Sequence, residues 1–305
     1  MIRLKQRKKY TMKALNYLRA DTIDNALQYL DEFKQDIRIL AGGTDLVVRL
    51  KQDMIKENNI LDISRIKELN GIFRKNGTIH VLPLTTHTDI LESEVIEKYA
   101  FILREACATI GSPQIRNRGT LGGNIANASP AGDSISALFV QTAKLKLKSI
   151  NSERVVSIEE FFTGPGKTIL EPNELLVDIF MPELEENEIG FFKKLGQRNA
   201  LAIAVLNVAV KMRRSETGTN TFDRAVVAFG AVAPTVVRGR RVEKAIVSSS
   251  LDSPEQIHYI AKLSFREVSP ISDIRASLKY RQDMSINLLY EGLLGLSAND
   301  WKRKA

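Results

Sequence analysis

Two glycine-rich segments carry the chemistry that can be read from this chain: Ala41-Gly42-Gly43-Thr44-Asp45-Leu46 and Thr120-Leu121-Gly122-Gly123-Asn124. In such turns successive backbone N–H groups converge on an anion, and glycine lets the anion approach because no Cβ intervenes. Two of them in one chain point to a ligand with a pyrophosphate. Either alone reads first as a tight turn. Neither fits the G-x-x-x-x-G-K-[ST] loop of nucleotide hydrolases or a G-x-G-x-x-G dinucleotide fingerprint, so the diphosphate must be held in another way.

The remaining reactive side chains narrow the choice. Cys107 is the sole cysteine and lies in the apolar run Phe101 to Cys107, where it reads as a small buried hydrophobe. A single thiol excludes an intrachain disulfide and any four-cysteine zinc or iron–sulfur site built by this chain alone. His80, His87 and His258 are scattered, without metal-ligand spacing. Electrons passing through this protein must therefore travel on an organic cofactor.

The formal charge of +8 lies at the two ends of the chain. Arg3, Lys5, Arg7, Lys8 and Lys9 carry five charges and Lys302, Arg303 and Lys304 three, leaving residues 10–301 with no net charge. A nucleic-acid binder concentrates Lys and Arg on one face of a folded domain, so the ends read as solvated tails. No apolar run is long enough to span a bilayer, and the basic start lacks the apolar core of a secretory signal, so a cytoplasmic protein is expected.

The elements that would position the loops follow from periodicity. Ile23, Ala26, Leu27, Leu30 and Phe33 recur at helical spacing behind Asp21 or Thr22 as N-cap. Ile37 to Ala41 is a strand running into the first loop, Leu46 to Lys51 starts a helix whose positive dipole end adds to that loop, and Ile60 to Ile63 is a further strand. Next come a strand at Ile79 to Leu82, a helix starting around Thr86 to Asp89 and a helix from Val95 to Ile110. Beyond the second loop, Leu138 to Ala143 is helical and Leu145 to Leu147, Val155 to Ile158 and Leu175 to Phe180 are strands, with a sharp turn at Gly164-Pro165-Gly166. Pro182 and the acidic cluster Glu183 to Glu188 mark a linker. Strands at Phe191 to Leu195, Ala202 to Met212 and Arg224 to Ala233 then precede helices, one opened by Ser253-Pro254 and one with Ile286, Leu289, Tyr290, Leu293 and Leu296 on one face.

With these loops in place, residues 13–296 resemble the FAD-binding subunit of the molybdenum hydroxylases, the xanthine dehydrogenase and carbon monoxide dehydrogenase family. Ala41 to Leu46, Ile110 to Asn117 leading to Thr120 to Asn124, Ala128-Ser129-Pro130 to Asp133, and Lys193 to Arg198 fall in the family's order. The resemblance implies an α+β fold: a two-subdomain FAD-binding module of the vanillyl-alcohol-oxidase (PCMH) type, followed by a smaller C-terminal domain of antiparallel sheet and helices. The expected boundaries are a basic tail at 1–12, a FAD-binding domain at 13–182 with subdomains of about 13–65 and 66–182, and a C-terminal domain at 190–297.

Carried over position by position, the family pattern has Leu40, Ala41, Gly42, Gly43, Thr44, Asp45 and Leu46 wrap the FAD pyrophosphate. Thr120, Leu121, Gly122, Gly123 and Asn124 do so from the other side, the Thr120 hydroxyl and Asn124 amide donating. Ile110 becomes an apolar cofactor contact, Asp133 a cofactor-binding acid, Leu176 a backbone contact near the flavin and Lys193 a lysine beside it, favouring reduction by its charge. Structural alternatives stand beside these: an Asx turn for Asp45, a helix N-cap for Asp133, a solvated strand lysine for Lys193, interface or structural charges for Arg116 and Arg118, and a loop histidine for His87. Leu82-Pro83 stands where members often carry a Gly-Ala-like pair, and proline cannot donate a ladder hydrogen bond.

The implied partners are a small subunit with two [2Fe–2S] clusters and a molybdopterin-binding large subunit that hydroxylates a heterocycle or aldehyde, with NAD+ or another acceptor taking the electrons. Two rivals are a stand-alone flavin oxidase, which needs a substrate pocket with a base, and a cofactor-free scaffold, which has no need of both glycine pairs.

Overall fold

The computed structural model describes residues 14–198, 201–216 and 220–297, so the basic ends and the tip of the Ser215 to Thr221 turn lie outside the described residues. The chain opens with β1 (Asn16–Arg19), α1 (Ile23–Phe33), β2 (Ile37–Leu40), α2 (Leu46–Lys51) and β3 (Asn59–Asp62), in a parallel sheet of order β1-β3-β2. Thr22 caps α1 by accepting from the Asn25 amide, and Ala26, Leu27 and Leu30 face a core completed by Leu61, Ile66 and Leu69. The first strand has only a half-exposed Leu18 to announce it and carries no alternation legible in sequence.

The second unit holds β4 (Ile72–Lys75), β5 (Thr78–Val81), α3 (His87–Glu92), α4 (Glu94–Tyr99), α5 (Phe101–Ala108), α6 (Pro113–Arg116), α7 (Leu121–Asn127) and α8 (Asp133–Val140). It continues through β6 (Lys144–Lys148), β7 (Glu153–Ser157), α9 (Ile158–Phe161), the hairpin β8 (Phe162–Gly164) and β9 (Lys167–Thr168), and β10 (Leu175–Pro182). Its antiparallel sheet has the order β4-β5-β10-β6-β7. The helix expected from Val95 to Ile110 is divided at Ala100, whose backbone leaves the helical region at φ −148°, ψ 37°. In β10 the register slips between Leu176 and Asp178. Leu175 and Val177 therefore join the core of the first unit, whereas Leu176, Ile179 and Met181 join that of the second.

The third unit is the antiparallel sheet β11 (Glu188–Leu195), β12 (Leu206–Arg214), β13 (Phe222–Gly230) and β14 (Val237–Arg238), with α10 (Arg240–Val247), α11 (Pro254–Lys262) and α12 (Leu278–Ser297). Ser253 caps α11 through the Gln256 amide, with Pro254 at the first helical position. The connection at Pro182 to Glu188 is not a loose linker: Pro182 belongs to β10, Glu183 pairs with Arg74, and Glu188 is buried against Lys211 at 3.1 Å. α8 is buried along its whole length between α5 on one side and β12 and β13 on the other, so the second and third units share a core. Among the described residues no helix is long and apolar enough to cross a membrane.

Candidate functional site: two loops in contact

β2 delivers the chain to the first glycine loop, and the Ile63 amide donates to the Leu40 carbonyl to fix where the strand stops. From there the amides of Ala41, Gly42, Gly43, Thr44, Asp45 and Leu46 donate to no protein acceptor among the described residues. Gly43 has φ +75°, the left-handed step that turns consecutive amides toward a common point. Asp45 makes no capping or Asx hydrogen bond and lies 3.6 Å from Arg49, one turn on.

The two loops touch. A Cβ on Gly42 would stand 1.8 Å from the Arg118 carbonyl oxygen, and one on Gly119 would stand 3.2 Å from His87 Cδ2 and 3.5 Å from Thr44 Oγ1. The segment immediately before Thr120 is thus pressed on the first loop.

The second loop differs from expectation in how its glycines serve. Leu121 to Asn127 is helical, Thr120 is its N-cap, and every early amide is taken. Leu121 donates to Thr85 O, Gly122 to Pro83 O at 2.9 Å, Gly123 to Thr120 Oγ1 and Asn124 to Thr120 O. Gly122 is required by close packing, since its Cβ would stand 2.5 Å from that of Pro83. The Pro83 position noted in the sequence therefore accepts from α7 instead of pairing in a sheet. What this loop offers a ligand is side-chain chemistry: the Thr120 hydroxyl proton and the Asn124 amide nitrogen, whose partner oxygen accepts from Ser134 at 2.8 Å.

Asp133 lies beyond that contact, at the first position of α8 and 5% exposed. Its carboxylate accepts from Lys194 Nζ at 2.5 Å, Asn207 Nδ2 at 2.9 Å and Thr109 Oγ1 at 3.4 Å. Burial pushes its pKa above the usual carboxylate range, opposed by Lys194 and these hydrogen bonds. It makes no cap hydrogen bond; Gly132 holds the N-cap position. Ile110 follows Thr109, and its carbonyl accepts from Arg116 at 3.1 Å. Leu176 is buried in β10.

Ile110, Thr120, Asn124 and Asp133 are therefore linked into one region with the first loop, and Lys193 is turned away from it. Lys193 Nζ is 2.7 Å from Glu291 on α12, on the other face of β11; the lysine that reaches Asp133 is its neighbour Lys194. Lys194, Asn207 and Thr109 escaped the sequence reading, and His87 was read only as a loop histidine. The signal available for Lys194 was only its place one residue along a strand.

His87 is 2% exposed, its amide donates to Gly119 O, and its Nδ1 lies 3.5 Å from Cys107 Sγ. Burial, with a contribution from Arg116, lowers its pKa to about 4 from 6.5. Between these values the unfolded chain binds a proton that the folded one refuses, so stability falls as pH drops from 6.5 toward 4. The urea midpoint of the wild type is expected to decline over that window, and His87→Gln to remove this component of the slope.

A run of unbonded donors backed by a hydroxyl and an amide suits a diphosphate, which offers only acceptors. Comparison with known proteins gives the family. Residues 11–184 match the FAD binding domain in molybdopterin dehydrogenase and residues 191–296 the CO dehydrogenase flavoprotein C-terminal domain; the chain belongs to this family of FAD-binding subunits of molybdenum hydroxylases. It is 32% identical over 268 residues to the xanthine dehydrogenase FAD-binding subunit of Escherichia coli O157:H7, covering 87% of this chain and 90% of that one. It is 31% identical over 269 residues to the glyceraldehyde dehydrogenase medium chain of Sulfolobus acidocaldarius, covering 88% and 93%. Among solved structures, a chain of carbon monoxide dehydrogenase from Hydrogenophaga pseudoflava superposes with a TM-score of 0.88 at 28% identity, covering 93% of this chain and 97% of that one. The chain is thus an FAD-binding oxidoreductase subunit with the expected α+β architecture.

Proposed function

We propose that this chain is the electron-transfer subunit of a heteromeric molybdenum hydroxylase, taking electrons from [2Fe–2S] clusters on a small partner and passing them to NAD+ or another acceptor. The hydroxylation itself belongs to a molybdopterin-binding large subunit. The observation that carries this reading is the run of free amides at Ala41 to Leu46 in a chain of this family. When bound, a flavin exchanges electrons singly or in pairs and so joins one-electron carriers to a two-electron acceptor. The chain's own residues bind and orient it: the first loop and the Thr120 and Asn124 side chains hold the diphosphate. The Asp133–Lys194–Asn207 network fixes the start of α8 against β11 and β12.

The single cysteine, buried in α5, supports placing the clusters on another chain. Among the described residues no group of three or more His, Cys, Asp or Glu side chains is arranged to hold a metal. Co-expression with a cysteine-rich small chain and a molybdopterin-binding chain should give a yellow complex in which NADH bleaches the flavin. Bleaching of the isolated chain's flavin by a small-molecule substrate would instead establish the stand-alone oxidase.

A further inference from the structure

The imidazole of His87 sits where the two glycine-rich loops meet. Its main chain is fixed by donation from its own amide to Gly119 O at 3.0 Å. Its ring edge at Cδ2 and the Thr44 hydroxyl flank the same side of Gly119, at 3.2 and 3.5 Å from where a side chain there would begin. Nδ1 is occupied by Cys107 Sγ at 3.5 Å. Burial keeps that thiol protonated and the imidazole neutral. With the S–H donating to Nδ1, the ring proton resides on Nε2, and this is the tautomer on which the proposal rests. Nε2 has no hydrogen-bond partner among the described residues. Nε2 is not sealed from solvent although the side chain as a whole is 2% exposed, and it stands beside a loop whose amides are free as well.

We propose that His87 is a cofactor contact, its Nε2–H donating to an acceptor on the diphosphate-bearing dinucleotide at the loop junction; this rests on the FAD reading above. A neutral donor suits the position because it adds a hydrogen bond without titrating in the physiological range. Cys107 acts behind it as a positioning residue, setting the tautomer by occupying Nδ1.

The test uses the full chain, 15N-labelled and titrated with FAD. With only three histidines, His80, His87 and His258, a His87→Gln variant assigns the ring signals. Unliganded His87 is expected as the neutral Nε2–H tautomer, and FAD should shift that Nε2–H resonance. Glutamine can place its amide near Nε2, whereas asparagine reaches only to the level of Nδ1. His87→Gln should therefore bind FAD within about threefold of wild type, and His87→Asn should lose about 10- to 100-fold with a moved 31P diphosphate signal. An unmoved Nε2–H resonance in FAD-bound wild type, or equal affinities in both variants, would overturn the proposal and leave FAD binding intact. Failure of the wild type itself to bind FAD would overturn the underlying reading and this inference with it. If His87→Asn does not fold, the wild-type resonance decides.

Discussion

Gly42→Val is expected to abolish retention of FAD by the purified chain. A Cβ at position 42 would lie 1.8 Å from the carbonyl oxygen of Arg118 and 2.7 Å from its carbonyl carbon, both backbone atoms that cannot rotate away. The first loop must retreat from the segment before Thr120, and the donors on the two sides lose their common target. Overpacking of this kind costs about 1–3 kcal/mol, occasionally more. The clash is present without ligand, so it also lowers the stability of the fold, and displacement of the loop donors is expected to weaken the complex roughly 10- to 100-fold. Flavin absorbance after gel filtration and an FAD titration measure it. Gly295→Ala is the control, because a Cβ there meets nothing within 4 Å, and it should bind as wild type. Normal affinity in Gly42→Val would show that contact between the loops is irrelevant to the cofactor.

Lys194→Met should be the most destabilising single change near the site. It leaves the carboxyl of Asp133, 5% exposed, without the ammonium 2.5 Å away, and breaking a buried pair from one side costs about 3–5 kcal/mol. Because the folded-state pKa of Asp133 is already raised by burial, stability associated with it is present at acid pH and lost as pH rises through the carboxylate range. The deficit of Lys194→Met therefore grows with increasing pH above about 3.8, the ordinary value of the group. Adding Asp133→Asn should recover a large part of it. The adjacent Lys193→Met removes only an ion pair whose Glu291 partner is 65% exposed, worth about 0–1 kcal/mol. Urea denaturation of both single variants at several pH values separates the two lysines; equal losses would mean that the network around Asp133 contributes nothing special.

Those neighbouring lysines show where the sequence stopped being informative. Phe191 packs into the C-terminal core and Phe192 into the core shared with α8, so β11 is apolar on both faces and alternation gives no phase. Only the tertiary structure says which of Lys193 and Lys194 looks toward Asp133. Elements governed by local chemistry were legible: α2 begins directly after the first loop, and the hydroxyls of Thr22, Thr86 and Ser253 cap the helices that follow them. The second glycine pair was legible as a special position and illegible in its cause. Gly122 answers to Pro83, far away in the chain, and no local rule distinguishes a glycine that admits an anion from one that admits another backbone. The burial of α8, polar at Asp133, Ser134 and Ser136, was hidden because the partners that satisfy it, Asn124, Lys194 and Asn207, arrive from other elements.

The claim on which the account rests is that main-chain donors of Ala41 to Leu46 hold the cofactor's diphosphate while the second loop contributes only side chains. A crystal structure of the full chain with FAD tests it directly. The account predicts phosphate oxygens within hydrogen-bond distance of amides in the first loop, with the Thr120 hydroxyl and Asn124 side chain on the opposite side. A diphosphate bound elsewhere, with the amides of Ala41 to Leu46 still unbonded, would contradict it.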